Sequence, residues 1–299
     1  MDAAHDDHAV FRAHGAEAVL LLGGAAAILL QLADPRVARG VARHSDFATR
    51  PLDRLIGTLD YVYAVGFGDD EIAAAAVRRV NARHAPVRGG GERQHGRARG
   101  RDDAADANGD DARVGTDGPS SDGAYSAFDA DAQRWVASTL LAVALDIHER
   151  VYGRLPITEA DAIVRGYAPL GSRLQAGREG WPDTRAEFEA WWNARLATLT
   201  VGEEARHVAR TLLSTSDALP GLAILLPPVR LVTAELLPAS LRAAYGFRWT
   251  PRTARVAHAW LAGIGAIWPW LPRPLRHAPM RISLHRARRR YAEDEHRGR

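Results

Sequence analysis

The chain contains neither cysteine nor lysine in its 299 residues. The first absence excludes disulfides, thiolate nucleophiles, iron-sulfur clusters and cysteine-ligated heme, so any iron must be held by histidine, tyrosine or carboxylate. The second excludes Schiff-base and phosphate-loop lysine chemistry and leaves arginine as the source of all 39 basic charges, against 36 acids. Near balance of the two signs reads as a solvated surface. The Arg286 to Arg290 stretch is the one place suited to anionic lipid or nucleic acid, but a charge run is usually a wet face, and no nucleic-acid partner is expected. Standard motifs are also lacking. There is no glycine-rich dinucleotide fingerprint, Walker loop, GxSxG elbow or HExxH, and His148-Glu149 has no second histidine at the right spacing. Long apolar runs are missing too: Ala18 to Leu30, between Glu17 and Gln31, falls short of the roughly 20 residues a membrane span needs and reads as a buried core helix.

What is present is enough apolar surface, 46% of residues, for a substantial core in one large or two ordinary domains. The N-terminus, with Asp2, His5, Asp6, Asp7 and His8, has no basic signal region, so a cytoplasmic location is expected. His5 and His8 read as solvated. Residues 89–123 are built from Gly, Arg, Asp and Ser and cannot repay the entropy of ordering, which predicts a disordered insertion within a single domain spanning 1–299.

Elsewhere helical periodicity dominates and strand alternation is nearly absent. Pro51 begins a helix through Val65, and Asp69-Asp70-Glu71 opens the next, with Gly66 and Gly68 between them. Thr158 with Asp161, and Thr184 with Glu187, have capping-box spacing. Asp129 to Tyr152, Gly202 to Leu213 and Pro251 to Ile267 complete the helix signals. Leu219 to Val232 and Val256 to Leu271 are apolar and broken by prolines, and the second carries Trp260, Trp268 and Trp270. A core wall is the preferred reading for both, with peripheral membrane contact as the alternative for the second. The expected class is all-α: a globular assembly of roughly ten helices.

Three groups suited to oxygen chemistry stand on adjacent apolar helices. Arg54 and Thr58 lie one turn apart, and Tyr61 and Val65 continue their stripe, which predicts that guanidinium and hydroxyl share an inward face. In the next helix Ala73, Val77 and Val80 recur at helical spacing, and His84 falls on their line, so its imidazole is expected in the core. His44 closes a helix of its own. Capping that helix accounts for it without any further role.

The order of several short pieces resembles the DUF2236 family, which includes the rubber oxygenases (latex clearing proteins) and the oxygenase of mycophenolic acid biosynthesis. The pieces are Gly23-Gly24, Gln31-Leu32-Ala33-Asp34-Pro35, His44-Ser45-Asp46-Phe47, Pro51 with Arg54-Leu55-Ile56-Gly57-Thr58, Phe67-Gly68, and His84-Ala85-Pro86-Val87-Arg88-Gly89. After the insertion the resemblance continues through Tyr125-Ser126-Ala127 with Asp129, Trp135-Val136 with Thr139-Leu140, Trp181-Pro182, Tyr245-Gly246 and the Leu271-Pro272 to Pro279 region.

The resemblance implies a b-type heme enzyme that uses molecular oxygen on a hydrophobic, typically isoprenoid, double bond. It implies His84 as the proximal iron ligand and Arg54 and Thr58 as the RxxxT pair lining the heme pocket; His44 is a candidate distal or acid-base group in compensation for the departures that follow. Two positions depart from the pattern. Gly57 stands where the rubber oxygenases carry a lysine before the motif threonine, and Ala137 where many relatives have a histidine after the Trp-Val pair. Without the resemblance His84 reads as a hydrogen-bonded core residue, and Arg54 and Thr58 as partners of Asp53, Asp60 or a backbone carbonyl. The competing functional readings are a non-catalytic helical carrier of a hydrophobic ligand and a heme-binding sensor with His84 and His44 as axial groups.

Overall fold

A computed structural model of the chain describes residues 3–44, 51–89, 125–214, 224 and 226–297. The expected all-α class holds, with fourteen α-helices among those residues. Helix α1 (Ala3–Gly15) leads through a 3-10 turn (Ala18–Gly23) into α2 (Gly24–Leu32) and α3 (Pro35–His44). After 45–50 come α4 (Pro51–Phe67) and α5 (Asp70–His84), then, past 90–124, α6 (Ala130–Tyr152), α7 (Ile157–Ser172), α8 (Arg185–Leu196) and α9 (Glu203–Leu212). The C-terminal third holds α10 (Leu226–Leu236), α11 (Ala239–Ala244), α12 (Pro251–Ile267), α13 (Arg273–Arg276) and α14 (Ala278–Arg297).

Helix α6 organises the interior. Asp129 starts it by accepting the Ala132 amide at 2.9 Å, and Gly153, at φ 89°, ends it in a backbone region that L side chains resist. Between these ends Trp135, Leu141 and Ile147 are fully buried. Trp135 and Ile147 pack with α2, α9, α10 and α12, whereas Leu141 packs with Phe11 of α1 and Val164 and Tyr167 of α7. The Trp135 indole donates to the Leu30 carbonyl at 3.2 Å and stacks on Trp192, which satisfies its one polar atom inside the core.

The apolar stretch expected as one core helix over Ala18 to Leu30 is buried, but it is two pieces. Gly23 sits so close to α6 that a Cβ there would lie 1.9 Å from the Val143 side chain, and the chain takes the tighter 3-10 turn before α2 begins. Among the described residues no single helix is long and apolar enough to cross a membrane; the combined stretch Asp7–Gly15 and Ala18–Leu32 bends by 71°.

Two further expectations are corrected. Thr158 and Asp161 do not form a capping box, because α7 begins at Ile157 behind Pro156, which leaves Thr158 inside the first turn. Asp161 instead accepts the Arg185 amide at 2.7 Å and so satisfies the first turn of α8, whose own box of Thr184 and Glu187 is formed. The Val256 to Leu271 stretch is not a core wall. Only Ala257 and Leu261 of α12 are buried, because α6 and α10 cover one narrow stripe of it.

Arg88–Gly89 and Tyr125–Ser126 form a two-residue antiparallel pair, with Gly89 opposite Tyr125. The chain thus leaves and returns at one point, where an insertion was expected. The disorder expected for 89–123 falls, from residue 90 onward, outside the described residues. The Leu219 to Val232 stretch is described only from Leu226, apart from Ile224; of those residues Val232 is buried in the core and Ile224 is exposed, so the core-wall expectation holds only at its end.

Candidate functional site

Helices α4 and α5 pack on each other, and α14 lies against both. Asp69 sets the start of α5 by accepting the Ile72 amide at 2.9 Å, so the expected acidic N-terminus is a true cap. On α4, Tyr61 donates to the Leu170 carbonyl at 2.6 Å, and burial raises its pKa above the ordinary phenol value. Asp60 is buried and neutralised by Arg286 at 3.0 Å and Arg290 at 2.7 Å. The arginine run read as a wet face therefore also clamps α14 to α4.

His84 is the last residue of α5. Its ring is half-buried with Nδ1 screened from solvent, and it meets Phe128 edge-on at 6.4 Å between centroids. The chain turns directly after it, Val87 donating to the His84 carbonyl at 2.9 Å and Ala127 to the Val87 carbonyl at 3.0 Å. The two flanks of segment 90–124 thus frame the imidazole. The inward expectation for His84 is met in part.

Thr58 is exposed, contrary to the expectation that its stripe faces inward. The stripe turns inward further along α4, at the partly buried Tyr61 and the buried Val65. Arg54 lies in the first turn of α4 and His44 ends α3, but their side chains are outside the described residues. Gly57 comes close to α5: a Cβ there would lie 2.9 Å from Nη1 of Arg83, the neighbour of His84. Ala137 is buried in the α6–α7 cluster, where a histidine would meet apolar groups. Between α4, α5 and α14 a cavity of about 40 Å³ is lined by Gly57, Asp60, Arg79 and Arg83 among others. It has room for a few waters at most and cannot house a porphyrin.

A second polar centre is absent from the sequence reading, which used Glu17 only as the edge of an apolar run. Glu17 is 5% exposed. It accepts from Tyr152 at 2.7 Å, the Trp268 indole at 3.0 Å and Arg276 at 2.9 Å, with His277 Nε2 at 3.1 Å. Burial pushes its carboxyl up, and these hydrogen bonds with the Arg276 charge outweigh burial, so it stays below the usual carboxylate range. Nearby in the chain, His14 and His148 approach to 3.4 Å between Nδ1 atoms. Burial, with His14 beside it, lowers His148 to about 4. A lone acid at the edge of an apolar run is the only signal sequence offers, since its partners lie more than 130 positions away.

A third centre ties Asp34 to Arg36 at 2.8 Å and to Arg195 at 2.6 Å, with Asp131 joined to both arginines. It fixes the α2–α3 junction to the start of α6 and the end of α8. Among the described residues no three His, Asp or Glu side chains gather to hold a bare metal ion.

Uncharacterized proteins of Mycobacterium bovis and Mycobacterium tuberculosis are each 32% identical over 163 residues, which is 54% of this chain and 60% of the relative. No solved structure matches. A family model described as ER-bound oxygenase mpaB/B'/Rubber oxygenase, catalytic domain, matches residues 11–266, from Phe11 in α1 to the last turn of α12, and the chain belongs to that family.

Proposed function

We propose that the protein is a heme-dependent oxygenase that uses dioxygen on a hydrophobic, isoprenoid-like substrate. The supporting observation is a family match to an oxygenase catalytic domain that takes in α4, α5 and the His84 turn. Heme b would supply the iron at which dioxygen is bound and activated. Of the described residues His84 would hold the iron, through an imidazole whose Nδ1 is screened from solvent. A macrocycle on His84 would lie outside the small α4–α5–α14 cavity.

In this reading His84 holds the iron, and the Phe128 edge limits the rotation of its ring. Arg54 would offer its guanidinium to a propionate, and Thr58 would offer a hydroxyl proton at the pocket edge. His44 is assigned a distal acid-base role. Gly57 leaves the space above its turn of α4 to the Arg83 guanidinium, so the cation beside the motif threonine comes from α5.

The test is an absorbance spectrum of the purified protein, as isolated and after hemin addition, before and after dithionite. A Soret band that His84→Ala abolishes while far-UV circular dichroism is unchanged supports the proposal. A wild type that takes up no hemin, or a His84→Ala variant with an unaltered Soret band, removes it. Oxygen consumption with an isoprenoid alkene then separates an oxygenase from a heme carrier.

A further inference from the structure

We propose that the outer face of α12 and the turn after it dock on the surface of an anionic phospholipid bilayer. Helix α12 is apolar almost all round, a composition that belongs in a core or at a membrane. It is in neither setting within this fold. Val256, Trp260 and Ile267, spaced at helical intervals, are 52%, 47% and 65% exposed, and Trp270 in the following turn is 87% exposed. The first three line an open groove of about 840 Å³ together with Arg252 and Arg255 at the head of the helix.

Charge identifies the occupant. Between Glu235 and Glu293 the chain has eleven of its 39 arginines and none of its 36 acids; Arg276 is held by Glu17, and Arg286 and Arg290 by Asp60, which leaves eight. Glu235 is itself held by Arg150 at 3.0 Å and His258 at 2.9 Å, so it does not offset the arginines facing outward. Exposed tryptophan and branched aliphatics flanked by arginine match the interfacial layer, where indole sits at headgroup depth and guanidinium meets phosphate. A second copy of this chain presents the same positive field, so self-association through the face would oppose like charges. A nucleic acid would meet Val256 and Ile267, which offer bases no hydrogen bonds. This inference is independent of the oxygenase proposal.

Co-sedimentation of the full chain with vesicles decides it. Binding is expected to vesicles of phosphatidylcholine with phosphatidylglycerol, to weaken with added salt, and to be at least about tenfold weaker on phosphatidylcholine alone. The double variant Trp260→Asp with Trp270→Asp, and separately Arg252→Gln with Arg255→Gln, should each weaken anionic binding by about tenfold or more. All four positions are exposed, so both variants should keep the wild-type circular dichroism. In the wild type, bromine-labelled acyl chains should quench tryptophan fluorescence. Absence of binding to anionic vesicles, or wild-type binding by either double variant, overturns the proposal. So does a dimer in sedimentation equilibrium that the tryptophan variant dissolves, which would assign the face to a second copy.

Discussion

Gly23 sets how closely the N-terminal chain approaches α6. A methyl at this position would overlap Val143 and also come within 2.7 Å of Ile147, both held in the core, so Gly23→Ala should cost about 1–3 kcal/mol in urea denaturation. Gly57 is the opposite case. Its Cβ would meet only the movable tip of Arg83, and alanine is the better helix former, so Gly57→Ala should stabilise the fold by up to about 1 kcal/mol in the same assay. Sequence shows a glycine in both places and cannot tell them apart, because the neighbour that decides lies on another helix. Asp69 is different: its role as a cap follows from the acidic run and helix start beside it, all within four residues. Glu17 was invisible for the reason that hides Gly23, since every group that stabilises its charge arrives from positions 152 to 277.

Among the elements, α8 carries both kinds of information. Its box of Thr184 and Glu187 is local, and Thr184→Ala should cost about 1 kcal/mol of unfolding free energy. Thr158, at the same spacing from Asp161, caps nothing, and Thr158→Ala should stay within about 0.5 kcal/mol of wild type. Asp161→Ala should still cost about 1 kcal/mol, because it removes the acceptor for the Arg185 amide in α8. Comparison of the three midpoints in one denaturant series checks the set. The failed box shows what spacing leaves out: Pro156 caps α7 two residues earlier than the Thr158 signal, and the carboxylate is then free to serve a neighbouring helix. For α12 periodicity was right about the helix and wrong about burial. An apolar helix has the same composition whether or not another element covers it.

For the molecule as a whole, acid should weaken the fold in two overlapping steps. His148 is held at about 4, below its ordinary 6.5, so the unfolded chain binds the extra proton first; its contribution is complete above 6.5 and is lost as pH falls toward 4. That loss amounts to about 3 kcal/mol at most. Glu17, held below its ordinary 4.5, contributes stability that is present above that value and disappears as pH falls further through the lowered value. Denaturation midpoints measured from pH 7 to 3 should therefore fall throughout, and His148→Gln should flatten the upper part of the curve. A midpoint independent of pH over 7 to 4 would contradict the buried neutral His148.

The sequence by itself determined the helical class, the starts of α4, α5, α6, α8, α9 and α12, the exclusion of thiolate and lysine chemistry, and the family to which the chain belongs. Those properties depend on neighbours within a few residues or on the order of short pieces along the chain. Only the tertiary structure decided which faces are covered. It turned Thr58 outward, half-buried His84 beside Phe128, clamped Asp60 beneath Arg286 and Arg290, closed four donors on Glu17 and left the tryptophan face of α12 open. Burial is a property of pairs of elements, and the partners that confer it here lie tens to hundreds of residues apart.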